Sequence, residues 1–518
     1  MAWLARLRGA CSLRLVRIGA ASGRSIHPQT IPIAAATGLL AAAAIAIAGC
    51  GNQYRPVISP IQPTGPASMP TAGIVVMSQP GFLPLPTGAN PCASTSYSTP
   101  SIITLVNFSG DTIENQANGG IGPLTFSLEA GGANVYSPNC DGTLTTAVAT
   151  TVSLLSKNVQ SSTLLPGSVP TNTIFASSSL YVTEEGLHGL TCSTTGSPAS
   201  GDCVGQLGGS PEGLRQNIPV APSLMNLVGY SSGQRIYAIS QGNSGGGAQP
   251  AWGDCDNPSA VGVNGEADAI ETITNTVSAH LPLGVCPVFG FQTPDLQRTF
   301  IVNRGSGTVS VINSELNALD TTNSKLGPNA TIPVGAGPVY ADYYRNGQIL
   351  VTANYDSNTI SIIDVSLDQF NNDSATFGTV KATIPVGLHP VEVSVLQDGS
   401  RAYVANQGVI NPDGSVGTPG SVSIVNLNNY SVEETIGLIA NPHAIGSIYN
   451  YPVGKVYVVS QNSPYLTVIR TDTDIVSATP EMQGPIVDMR VSAQYPAQSS
   501  SGALNYQTES RSVGSGAP

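Results

Sequence analysis

The feature that most limits the possible folds is an internal repeat. Residues 331–339 read TIPVGAGPV and residues 383–391 read TIPVGLHPV, an offset of 52. A further 52 residues on stand Thr435 and Ile436, with Pro442 in the place of Pro390. Going backward, Leu281-Pro282-Leu283-Gly284 with Pro287-Val288 repeats the pattern. Ile218-Pro219-Val220 with Pro222 is a shortened copy, and Thr163, Gly167 and Pro170 keep the spacing of Thr331, Gly335 and Pro338. An apolar segment follows each proline: NVYSPN (134–139), SLYVTE (179–184), RIYAIS (235–240), RTFIVN (298–303), ILVTAN (349–354), RAYVAN (401–406) and KVYVVS (455–460). Then usually comes a segment alternating Val or Ile with Ser or Thr: TVSVIN (308–313), TISIID (359–364), SVSIVN (421–426) and LTVIRT (466–471). Period-two alternation marks strands, and DSN at 356–358 and GSG at 305–307 supply turn chemistry.

A repeated unit of four short strands describes a propeller blade. Seven proline–strand pairs lie inside the chain. An eighth blade joins Pro485–Val491 to Gly73–Ser78, closing the ring and removing exposed edges. The expected fold is therefore all-β, a single propeller over 73–492, with eight blades by repeat count. A β-solenoid and a two-sheet sandwich rank below it, since solenoid coils are shorter and sandwiches do not repeat at this period. The 57 glycines and 39 prolines agree, being the weakest helix formers.

The tract R-x-Y-V-A-N, then V-S-I-V-N, then T-I-P-V-G-x-x-P is similar to the YVTN-type β-propeller repeat of bacterial surface-layer-like and exported proteins. The units at about 329–365 and 381–427 match best, and those before 290 match at anchor positions and carry insertions. That family's default is seven blades. The resemblance implies a rigid disc that binds a protein, peptide or glycan through its loops and channel mouth. The insertions 79–100, 186–212 and 241–266 are its natural contact surfaces. The alternative is an enzyme resembling the lactonase-type propellers, with its site at the central channel. Fold alone does not separate the two.

The first 49 residues read as an address. Lys and Arg total 19, and five arginines precede position 50 with no acid among them. An apolar run, Ile31 to Ala48, ends in Ile47-Ala48-Gly49-Cys50. A charged start, an apolar middle and small residues before the cut describe a secretory signal. The last four residues resemble the bacterial lipobox, which implies cleavage before Cys50 and lipidation of its thiol. A transmembrane anchor is the other reading, since about 17–25 apolar residues make a span. Gly51 stands where an Asp retains many such lipoproteins at the inner membrane, which points to the outer membrane, facing periplasm or cell surface. Residues 50–72 are a Pro-rich tether and 493–518 a Ser/Gly-rich, disordered tail.

Beyond position 49, 14 basic residues face 31 acidic ones, a net of −17. Such a body does not suit nucleic acid, whose binding rests on Lys and Arg. The expected partners are the membrane, through the lipid, and an envelope protein or glycan; the chain is expected to be a monomer. Of eight cysteines, Cys11 belongs to the leader and Cys50 to the lipid. An even six remain, suggesting disulfides in an exported chain. Fifteen pairings are open. Cys192–Cys203 closes a short loop and ranks first, followed by Cys255–Cys286 and Cys92–Cys140.

No catalytic set can be assigned. Two G-x-S-x-G strings, Gly229–Gly233 and Gly242–Gly246, lack the strand–turn–helix setting of a nucleophile elbow and read as turns. Of His188, His280, His389 and His443, the last two neighbour repeat prolines and are candidate ligands at the channel mouth; variable loop positions are the plainer reading. An acidic loop offers Asp254, Asp256, Glu266 and Asp268 as calcium candidates, although Pro258 breaks the EF-hand pattern and no Glu closes it. Trp252 is the one tryptophan beyond the leader, too few for the docking motifs of quinone-dependent propellers. No cofactor is expected.

Overall fold

The structure is a computed structural model. It describes residues 73–491 except 82–91, 93–98, 109, 129–133, 150–153, 161–163, 165–167, 186–201, 209–212, 231–232, 247–248, 252, 345–347, 371 and 449–452. The chain divides into Met1–Ser59, outside the described residues, and Pro60–Pro518, which carries the fold below. The expected leader, tether and tail also lie outside the described residues.

Eight antiparallel blades are present, each with strands a to d from the inside outward. Blade 1 takes strand a, Ile486–Val491, from the C-terminal end and adds Gly73–Ser78, Ile102–Asn107 and Ile113–Asn118. Blade 2 has Ser127–Leu128, Asn134–Pro138, Leu144–Ala149 and Leu154–Gln160; blade 3 has Thr173–Ala176, Ser179–Glu184, Cys203–Gly208 and Gly213–Pro219. Blade 4 has Leu224–Gly229, Arg235–Ser240, Glu266–Glu271 and Thr276–Pro282. Blade 5 has Pro287–Gln292, Arg298–Asn303 and Thr308–Asn313; its outer strand is split into Ala318–Leu319 and Thr331–Pro333. Blade 6 has Pro338–Tyr344, Ile349–Asn354, Thr359–Asp364 and Val380–Pro385; blade 7 has Pro390–Val395, Arg401–Asn406, Ser421–Asn426 and Ser431–Gly437. Blade 8 has Asn441–Ile448, Lys455–Gln461, Leu466–Arg470 and Ile475–Ala478. The count is eight, as the repeats predict, and not the family's seven.

The core is a ring of apolar layers between neighbouring blades. Val75, Met77, Ile103 and Leu105 of blade 1 meet Phe126, Leu128 and Val135 of blade 2. Ile74, Val76 and Val106 of the same blade turn the other way, onto Ala444, Tyr457 and Val459 of blade 8. Strands b and c therefore bury both faces and read as apolar runs, while outer strands alternate, as in Thr276–Pro282.

Several recurring letters of the repeat have a physical task. The Asn ending strand b turns its amide onto strand c. Asn303 Nδ2 donates to Thr308 Oγ1 and Ser310 Oγ at 3.1 and 2.9 Å. Asn354 does the same to Thr359 and Ser361, and Asn406 to Ser421 and Ser423. The Gly of T-I-P-V-G lies directly against that amide. A methyl group at Gly335 would stand 2.6 Å from Asn354 Nδ2, and one at Gly387 2.6 Å from Asn406 Nδ2. Only glycine leaves that space.

The basic residue opening strand b reaches the next blade. Arg235 Nη1 donates to Ser314 O at 2.7 Å, and Arg298 Nη2 to Asp373 Oδ1 at 2.8 Å. Arg401 binds Thr471 O and Asp474, and Tyr403 Oη donates to Asp474 Oδ1 at 2.5 Å. Lys455 Nζ crosses the seam to Phe108 O and Asp111 Oδ2, at 2.6 and 2.7 Å. Two of these targets, Asp111 and Asp474, have φ of 53° and 54°, a left-handed turn that Asp tolerates.

Gly387→Ala is expected to cost about 1–3 kcal/mol by overpacking, and Asn406→Ala a similar amount by removing the amide from the half-buried Ser421 and buried Ser423 hydroxyls. In the double variant the new methyl occupies space the amide has left. Urea unfolding of all four proteins should give a double-variant loss smaller than the sum; strict additivity would refute the contact.

Candidate functional site

One face of the ring carries both the b–c connections and the d–a connections. The residue after strand b donates its N–H to the residue before strand a of the same blade: Gln241 to Ser223 O, Arg304 to Cys286 O, Tyr355 to Gly337 O and Gln407 to His389 O, at 2.7–2.8 Å. The expected insertions belong to this face. Residues 79–101 and 241–265 are b–c connections of blades 1 and 4. The insertion expected over 186–212 is shorter, because Cys203–Gly208 is strand c of blade 3. A fourth insertion, 407–420 of blade 7, folds into a hairpin of Val409–Ile410 with Val416–Thr418. Its even spread of Gly, Pro and polar residues gave no separate signal.

Disulfides fix two insertions. Cys92–Cys140 ties the blade 1 insertion to the b–c turn of blade 2, and Cys255–Cys286 ties the blade 4 insertion to the entry of blade 5. Cys203 is buried and disulfide-bonded; the pairing expected with Cys192 lies outside the described residues, as do His188 and Trp252.

The two candidate histidines are separately engaged. His389 has φ 53° at the turn position that is Gly337 in blade 6. Its ring stacks on Tyr355 at 4.4 Å and its Nδ1–H donates to Gly408 O at 2.6 Å. Arg304 lies over the same Tyr355 ring, 5.0 Å from its centre. His443 lies on strand a of blade 8 and donates Nε2–H to Val487 O of blade 1 at 2.9 Å. Neighbouring inner strands are linked in the same manner elsewhere. Asp342 Oδ2 accepts from Val395 N at 2.7 Å, and Glu392 Oε2 from Ile445 N at 3.0 Å. Burial raises the Asp342 carboxyl to about 7 against the hydrogen bonds it accepts from Val395 N and Tyr343 N.

The four acidic candidates divide. Asp254 and Asp256 form a 3-10 turn, where Asp254 accepts from Ala251 N at 2.7 Å. Asp256 faces Arg304, 3.7 Å away, and burial still raises its pKa to about 6. Glu266 and Asp268 lie on strand c of blade 4, where they meet His280 of strand d. His280 Nδ1 stands 2.5 Å from Asp268 Oδ1 and 3.0 Å from Glu266 Oε1. Among the described residues this is the one group of three His, Cys, Asp or Glu donors close enough to share an ion. Burial lifts Asp268 to about 7. Slight burial lowers His280, but the two carboxylates outweigh it and its pKa is raised. Ser244, inside the second G-x-S-x-G string, donates its hydroxyl to Glu266 Oε2 at 2.9 Å rather than to a histidine. The helical elements among the described residues are two 3-10 turns, so neither string has an elbow setting.

Sequence reasoning left His280 aside. Its register, directly opposite Asp268, follows only once strands c and d are paired.

No family model and no curated protein matches the chain. The chain is similar to solved structures at low identity. Dihydro-heme d1 dehydrogenase NirN is 12% identical with a TM-score of 0.50, over 84% of this chain and 78% of that one. Apo AztD from Citrobacter koseri is 12% identical with a TM-score of 0.49, over 81% and 97%. Kuenenia stuttgartiensis hydrazine synthase is 13% identical with a TM-score of 0.41, over 63% and 89%.

Glu185 opens the b–c connection of blade 3. Burial, and then the Asp202 charge, raise its pKa from 4.5 to about 8. The folded chain holds that proton to about pH 8, whereas the unfolded chain releases it near 4.5. Between these values the native state binds more protons, so stability falls as pH rises. Glu185→Gln should show a shallower decline in urea stability across this window and exceed the wild type at pH about 8. An unchanged slope would mean that Glu185 ionises freely in the native protein.

Proposed function

We propose that this chain is an exported bacterial lipoprotein of the YVTN propeller type, acylated at Cys50, that works as a binding or scaffold module at the cell envelope. The observation that carries the reading is the placement of the insertions on one face, two of them locked by disulfides. Disulfides suit an oxidising, extracytoplasmic compartment. A loop fixed at both ends loses less entropy when it meets a partner. The Arg-rich start, the apolar run and Ile47-Ala48-Gly49-Cys50 supply the address. The Pro-rich stretch 51–72 gives the ring reach from the bilayer. Gly51 favours the outer membrane. Acidic, sparsely charged surfaces fit a protein, peptide or glycan partner rather than a nucleic acid.

A lactonase-like hydrolase needs polar groups converging at the channel. Asp342, Glu392 and His443 are ionisable groups on inner strands. Each is bound to the backbone of the next blade, which supports the binding reading.

Expression with labelled palmitate should give a labelled protein in the membrane fraction. Cys50→Ser should lose the label and leave the membrane. A Cys50→Ser protein that stays fully membrane-bound would instead indicate a spanning anchor. Crosslinking from residues of 79–101 and 241–265 should capture a partner lost when either insertion is shortened; capture from the opposite face alone would sink the assignment of the binding surface.

A further inference from the structure

The cluster on blade 4 is more than a buried acidic patch. Glu266 and Asp268 are two apart on strand c and so share a face of the sheet. His280 is the cross-strand partner of Asp268. Each carboxylate has its outer oxygen engaged. Asp268 Oδ2 accepts from Ala221 N at 2.6 Å. Glu266 Oε2 accepts from the N–H and the hydroxyl of Ser244, at 3.2 and 2.9 Å. The inner oxygens both turn to one ring nitrogen, so a single N–H is shared between two buried carboxylates. The imidazole comes from the outermost strand, and its side chain is 57% exposed while the acids are 9% and 0%. An exposed histidine thus folds back over two buried acids.

We propose that Glu266 Oε1, Asp268 Oδ1 and His280 Nδ1 bind one divalent transition-metal ion, with zinc the best match. The three atoms lie within 4.8 Å of one another. Imidazole with carboxylates suits zinc and its neighbours, whereas calcium takes six to eight oxygens, more than this group offers. Zinc bonds of about 2.0–2.1 Å place tetrahedral donors roughly 3.3 Å apart. The closest pair must therefore open by under an ångström, which the exposed ring can supply. Ser244 and the Ala221 N–H form the outer layer that orients the ligating carboxylates. The exposed side of His280 leaves the remaining coordination positions to solvent or to a ligand. A divalent ion also settles the repulsion between two acids that now share one proton donor. Nothing in this inference depends on lipidation or on a binding partner.

The full-length chain, purified in detergent with disulfides intact and stripped with EDTA, can be titrated with zinc by calorimetry. Cobalt, as a spectroscopic substitute, reports the ligand set. One zinc per chain is expected, with a cobalt visible spectrum that His280→Ala abolishes. Ser244→Ala should weaken zinc about 10-fold. Both variants should keep the wild-type circular dichroism spectrum. His280→Ala, which leaves two buried carboxylates without their shared donor, should melt lower without metal, so the metal titration is read on protein shown to be folded. The proposal is overturned if stripped wild type takes up no zinc. It is equally overturned if His280→Ala keeps the same stoichiometry and cobalt spectrum, or if calcium binds there as tightly as zinc.

Discussion

Closure of the ring is the constraint on which everything else rests. A blade has two apolar faces, so no blade is stable without a neighbour on each side, and an open arc would expose one face at either end. The chain solves this by giving its last described strand, Ile486–Val491, to the blade begun by its first, Gly73–Ser78. More than four hundred residues of sequence then depend on one antiparallel pairing. The seam is reinforced accordingly. Lys455 reaches into the c–d turn of blade 1, and His443 ties the inner strands of blades 8 and 1. Beyond the seam, Arg490 binds Asp488 and Thr125 and covers the Phe126 ring of blade 2.

Much of this was legible because the repeated letters are the residues that build the joints. The Asn of R-x-Y-V-x-N recurs because strand c offers hydroxyls at matching heights. The Gly of T-I-P-V-G recurs because it is the space for that amide. The Arg and Tyr recur because each blade must grip the next. A repeat of this kind reports architecture, and its most regular residues are poor candidates for catalysis. His389 illustrates the point: it looked like a ligand beside a repeat proline, yet it occupies a left-handed turn that Gly337 fills in the preceding blade.

What stayed hidden is cross-strand. Asp254 and Asp256 are near Glu266 and Asp268 in sequence, so a single acidic loop was the natural reading. The disulfide Cys255–Cys286 and the buried Arg304 draw the first pair toward blade 5, while strand c holds the second pair on blade 4. Spacing along the chain cannot reveal such a division. Nor could it reveal His280, which is twelve residues from Asp268 in sequence and opposite it in the sheet.

The two halves of the ring also differ in how they hold their polar groups. Blades 5 to 8 keep the repeat nearly intact, and their buried acids accept backbone N–H groups of the next blade or pair with Arg or Lys. Blades 3 and 4 depart from it. The residues ending and following strand b of blade 3 are Glu184 and Glu185, where blades 5 to 7 have Asn followed by Arg304, Tyr355 or Gln407, and Asp202 accepts from Leu224 N across the connection to blade 4. Asp268 accepts from Ala221 N in that same connection. Two buried carboxylates thus hold one short linker, and a third, Glu185, lies close enough to Asp202 to feel its charge. Burying ionisable groups is costly unless they are hydrogen-bonded or paired, and the Asn–hydroxyl joints of blades 5 to 7 fill the position of Glu184 without one. The departure from the repeat falls beside the disulfide-locked insertion of blade 4 and on the blade that carries His280.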